Sequence, residues 1–139
     1  MENISFKEAV DRLVQADPRY SEEAYYFIRD GLDYTVKRVK KSPGVKSRHV
    51  TGAELAAGLS DFALDEYGPM ALFTLNSWGI RQTEDFGELV FALIDAGKLG
   101  KTEEDKKEDF AGLFDLVKVL EKPYEVAEAP RQRRPRRRG

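Results

Sequence analysis

Two capping boxes constrain this chain before anything else does. Ser5 with Glu8, and Thr51 with Glu54, each place a hydroxyl three residues ahead of a carboxylate, directly before apolar residues at helical spacing. The pair satisfies orphan backbone N–H groups reciprocally, an arrangement that belongs to a helix start. Phe6, Ala9, Val10, Leu13 and Val14 then form one apolar face, which ends before Pro18 because the residue ahead of a proline leaves the helical region. Ser21 caps a second helix with Glu22 and Glu23 in its first turn and Ala24, Phe27, Ile28, Leu32, Val36 and Val39 as its stripe. Ser42-Pro43-Gly44 stops it. Leu55, Leu59, Phe62, Ala63 and Tyr67 make a third face, and Gly68-Pro69 breaks that helix and opens a fourth. Met70, Leu72, Phe73, Leu75 and Trp78 render the fourth helix apolar on most sides, which predicts it as the buried centre of the domain. Gly79 ends it, Gln82 or Thr83 opens a fifth, and Phe86, Leu89, Val90, Leu93 and Ile94 face inward until Gly97.

The expected fold is therefore mainly α, a compact domain of five to six helices over residues 1–121, followed by a Pro/Arg-rich basic tail over 122–139 that the composition predicts to be disordered. The stretch 98–117 reads two ways. Phe110, Leu113, Phe114 and Val117 fit a helical face, whereas Phe114, Leu116, Val117 and Val119 fit a strand. With a small C-terminal β-hairpin there, the helices at 51–67, 69–78 and 83–96 follow the order of a winged helix-turn-helix. The fifth helix is a poor reader of DNA, because Glu84, Asp85, Glu88 and Asp95 would repel phosphates.

Charge is blocked along the chain, so the net value of −2 conceals the pattern. Residues 50–130 hold 17 acidic against 7 basic side chains. Two short segments have the opposite sign. Lys37, Arg38, Lys40, Lys41, Lys46 and Arg48, with His49 adjoining, contain no acid, and Arg131, Arg133, Arg134, Arg136, Arg137 and Arg138 fill the last nine residues. Clusters of this kind attract RNA or DNA backbones, since Lys and Arg displace condensed counterions and Arg pairs bidentately with phosphate. The plainer reading is that the first cluster opposes the dipole at the end of the second helix. The second would then keep an acidic protein in solution.

Several classes are excluded or disfavoured. Without Cys there is no disulfide, thiol nucleophile or Cys-ligated metal. No run approaches 20 apolar residues and no secretion signal is read at Met1–Ser5, so a cytoplasmic protein without a membrane partner is expected. The lone His49 makes a poor metal ligand, and Asp61 and Asp65, one turn apart, read as a solvated face; no metal or cofactor is expected. Gly97-Lys98-Leu99-Gly100-Lys101-Thr102 lacks the spacing of a phosphate loop. Trp78, Tyr20, Tyr25, Tyr26 and Tyr34 could stack bases, but their spacing beside Leu and Phe suits core or rim.

Strings in register from about 5 to 120 carry a resemblance. They are Glu23-Ala24-Tyr25, Leu32-Asp33-Tyr34-Thr35-Val36, His49-Val50-Thr51-Gly52 with Glu54-Leu55, and Phe62-Ala63-Leu64 with Tyr67-Gly68-Pro69-Met70. Leu75-Asn76-Ser77-Trp78-Gly79-Ile80-Arg81, Thr83-Glu84-Asp85-Phe86-Gly87-Glu88 and Gly100-Lys101-Thr102-Glu103-Glu104-Asp105 complete them. Together they resemble a Verrucomicrobia/Planctomycetes-restricted family of uncharacterised bacterial proteins. The resemblance implies a bacterial chain and brings no activity, cofactor or catalytic residue with it. The expected function is non-enzymatic binding of RNA or DNA through the two basic clusters. The alternative is a protein–protein adaptor that uses the acidic helical body.

Overall fold

The computed structural model describes residues 4–41, 50–100 and 105–125. Within them run α1 (Phe6–Ala16), α2 (Glu22–Lys41), α3 (Gly52–Tyr67), α4 (Ala71–Ser77), α5 (Thr83–Asp95) and α6 (Leu116–Glu121). Single 3-10 turns occupy Gly68–Met70, Lys107–Phe110 and Lys122–Tyr124. The chain is mainly helical, and no strand occurs among the described residues. Both capping boxes form as the sequence predicts: Glu8 N donates to Ser5 Oγ at 3.1 Å and Glu54 N to Thr51 Oγ1 at 3.1 Å, with the carboxylates answering the cap N–H groups.

α3 is the centre of the core. Leu55, Ala56, Gly58, Leu59, Ser60 and Ala63 are all buried along it, and α2, α4, α5 and α6 each pack against it. Its small residues allow this. Gly58 lies under Thr35 of α2 so closely that a Cβ there would stand 2.0 Å from Thr35 Oγ1. Ser60 answers its own hydroxyl by donating to the Ala56 carbonyl at 3.1 Å. α5 closes the far side with Phe86, Leu89, Val90 and Leu93.

The sequence placed α4 at the buried centre, and the structure moves it to the surface. A helix of seven residues makes about two turns and offers one side to a neighbour. Ala71 and Leu75 take that side, while Phe73 is 68% and Met70 54% exposed. The winged-helix reading and the hairpin near 98–117 are likewise corrected. Phe110 is buried in the turn beneath α5, Gly112 N donates to Glu84 Oε2 at 3.0 Å, and Leu113 N donates to Thr83 Oγ1 at 3.3 Å. Those backbone donors are satisfied by side chains at the start of α5, so they need no partner strand. Asp115 then caps α6, and Leu116 and Leu120, four residues apart, turn inward. Of the expected tail, 126–139 lie outside the described residues.

The α1–α2 link is pinned to the turn between α4 and α5. Ser21 N donates to the Trp78 carbonyl at 3.2 Å, and the Arg19 carbonyl approaches Gly79 where a Cβ would stand, 2.2 Å away, at a φ of +99°. Tyr20 OH donates to Asp85 Oδ1, and Asp85 Oδ2 accepts from the N–H groups of Arg81 and Gln82, so one carboxylate both caps α5 and holds the link.

This arrangement has a pH consequence. Burial raises the phenols of Tyr20, Tyr25 and Tyr67, with Asp85 adding to the effect at Tyr20, and the bond to Asp65 raises Tyr34. Each folded-state value lies above the unfolded one, near 10.0. The stability these groups contribute is complete below that pH and is lost as pH rises through the folded values. Urea midpoints are expected to hold at pH 8–9 and fall steeply beyond about pH 10. Tyr20→Phe should fall less steeply; a midpoint unchanged at pH 11 would contradict the burial of these phenols.

Candidate functional site

The basic end of α2 is the first surface the sequence singles out. Lys37 Nζ pairs with Asp33 at 3.0 Å, one turn back on the same helix. Arg38 Nη1 reaches Asp61 of α3 at 2.8 Å, and its guanidinium stands 5.3 Å from the centre of the Tyr34 ring. Tyr34 OH in turn donates to Asp65. Asp61 and Asp65 are therefore not idle: they clasp α3 to α2, and the Asp61 carboxylate raises the pKa of Arg38. Lys37 and Arg38 thus each hold an exposed ion pair with a neighbouring carboxylate. The backbone of Lys40 and Lys41 completes α2; Lys46, Arg48, His49, Arg131, Arg133, Arg134, Arg136, Arg137 and Arg138 lie outside the described residues.

The aromatic candidates are mostly committed to packing. Tyr20 and Tyr25 are buried, Tyr26 meets Phe6 edge-on at 5.1 Å, and Trp78 lies 5.9 Å from Phe27 and 5.6 Å from Tyr67. Three of the four carboxylates of α5 are engaged too: Glu88 accepts from Arg19 and Lys107, and Glu84 and Asp85 hold backbone N–H groups, while Asp95 is exposed. No cluster of three or more His, Cys, Asp or Glu is arranged to hold a metal ion among the described residues.

Two of the concavities among the described residues have mainly apolar walls. One, of about 220 Å³, is walled by Leu32, Val36, Leu55, Val90, Ile94 and Phe110 between α2, α3 and α5, with Asp105, Lys106 and Asp109 at its rim. Its walls are hydrocarbon, and its titratable side chains stand at the rim. The other is an open groove of about 520 Å³ between α4 and α6, walled by Pro69, Leu72, Phe73, Leu120 and Tyr124 and edged by Glu121 and Glu125. Beside it stand the most exposed large apolar side chains among the described residues, Phe73 and Met70, with Tyr124 at 48%. The sequence reading assigned Met70 and Phe73 to the buried centre and did not single out Tyr124. The available signal was length, because a segment this short cannot bury an apolar surface on every side.

No family model, curated protein or solved structure matches the chain.

Proposed function

We propose that this chain is a non-enzymatic, cytoplasmic interaction module whose contact face is the outer side of α4 together with α6. The observation that carries the reading is Phe73, 68% exposed on a helix whose opposite side is fully buried at Leu75. Exposed apolar side chains gathered at one groove, rather than scattered singly, mark a surface that a protein partner covers. The acidic body and the paired state of Lys37 and Arg38 favour a protein over a polyanion.

Binding of RNA or DNA backbone is the second reading, favoured by six Arg within residues 131–139. Descent from the Verrucomicrobia/Planctomycetes-restricted family, suggested by the strings between residues 5 and 120, makes the module a bacterial one in either case.

A photo-reactive phenylalanine analogue placed at Phe73, and in a second preparation at Lys37, separates the two readings in native extract. Discrete protein adducts from position 73 and none from position 37 are expected. Nucleic-acid adducts from position 37, with position 73 silent, would replace the first reading by the second.

A further inference from the structure

A third cleft, of about 410 Å³, lies between α2 and α3, and its walls are aromatic. Tyr26 and Phe27 of α2, Phe62 and Tyr67 of α3, and Trp78 line it. Packing buries Phe27 but leaves the other four rings partly exposed. Four exposed carboxylates, Glu22, Glu23, Asp30 and Glu66, line the same cleft, and no Lys or Arg does so among the described residues. Asp30 pairs with Arg29 at 3.0 Å, whereas Glu22, Glu23 and Glu66 make no ion pair with a described residue. Burial raises the Tyr67 phenol, and the charges of Glu66 and Asp30 raise it further, so both carboxylates act at this ring.

Rings beside unpaired carboxylates suit one cation above others. A guanidinium stacks on a ring and bonds a carboxylate with the same planar group, whereas an ammonium is a compact, strongly hydrated point charge. Neighbouring arginines are already held in this way. Arg29 stands 4.9 Å from the centre of the Tyr26 ring while bonding Asp30, and Arg38 stands over Tyr34 while bonding Asp61.

The chain carries that cation within reach of the cleft. The described residues end at Glu125, and the Tyr124 hydroxyl stands 3.6 Å from where a Cβ on Gly68 would lie, one residue after Tyr67. Six Arg and no acid follow within residues 131–139. Arg131 comes six residues after Glu125, which amounts to roughly 20 Å of extended chain. A tether this short gives an effective concentration on the order of millimolar, enough for individually weak contacts to form.

We infer that the Arg-rich segment 131–139 docks on the aromatic and acidic cleft between α2 and α3 of its own chain. The contact is separate from the α4–α6 face. It bears on the second reading above, because phosphate and carboxylate compete for the same guanidinium groups, so the cleft opposes capture of the segment by a polyanion.

The sequence supplies its own reporter. The chain has no Cys and a single Trp, so a bimane label on Gln132→Cys is unique and Trp78 is the one indole that can quench it on contact. In dilute full-length protein the label is expected to lose most of its emission and to regain it in molar salt, which screens exposed charges. Trp78→Phe keeps an aromatic wall and should abolish the quenching. Glu23→Gln combined with Glu66→Gln should relieve it too. The same two-charge change at Glu121 and Glu125, beside the other groove, should leave it in place. Circular dichroism of each variant confirms that it is folded. An unquenched label in the wild-type background overturns the inference, as does quenching that survives Trp78→Phe. Equal relief by the two pairs of Gln substitutions would mean general attraction to an acidic body and would overturn the assignment to this cleft. Quenching that grows with protein concentration would place the segment on a second copy and overturn docking within one chain.

Discussion

Gly58→Ala is expected to destabilise the fold by about 1–3 kcal/mol, against the sign that helix propensity alone assigns. In a helix interior, alanine is better than glycine by roughly 1 kcal/mol. Gly58 is interior to α3, so an unobstructed site would gain stability from the change. The added Cβ would instead meet Thr35 at 2.0 Å from Oγ1, 2.7 Å from Cγ2 and 2.8 Å from Cβ. Thr35 has little room to yield: it is 4% exposed, and its hydroxyl donates to the Gly31 carbonyl at 2.8 Å. Relief therefore requires α2 and α3 to move apart, which opens the core at its centre. Trimming the partner with Thr35→Ala should recover part of the loss, giving a favourable coupling of about 1 kcal/mol or more in a double-mutant cycle. Urea unfolding of the four proteins measures it. A Gly58→Ala variant more stable than wild type would mean that the two helices do not cross here.

Much of this architecture was legible because helix boundaries are written in local chemistry. Ser5, Glu8, Thr51 and Glu54 act within one turn of each other, so the residues that specify the start of α1 and α3 are adjacent in sequence. The stretch after Gly100 was illegible for the opposite reason. Gly112 and Leu113 find their partners at Glu84 and Thr83, about thirty residues earlier, and no local pattern encodes that pairing. A short apolar run flanked by charge then fits a strand as well as a turn. The candidate site divides in the same way. The Lys and Arg cluster of α2 was visible as composition, but the pairing of Arg38 with Asp61 depends on how α2 crosses α3. Phe73 was visible as an apolar residue and was assigned to the core. Periodicity identifies which residues share a side of a helix, and in a helix of seven residues it does not say which side the neighbours take.

The outward face of α4 is the claim on which the functional reading depends, and a pair of identical truncations tests it most directly. Leu75 is wholly buried and Phe73 is 68% exposed, two positions apart on one helix. Leu75→Ala removes a buried side chain and leaves a cavity, so it should cost about 3 kcal/mol. Phe73→Ala removes a larger side chain that faces water, and should stay within about 0.5 kcal/mol of wild type. Urea denaturation compares them on one scale. The account predicts a wide gap, with Leu75→Ala far below both wild type and Phe73→Ala. A Phe73→Ala variant as unstable as Leu75→Ala would contradict it, because Phe73 would then belong to the core and α4 would have no face to offer a partner.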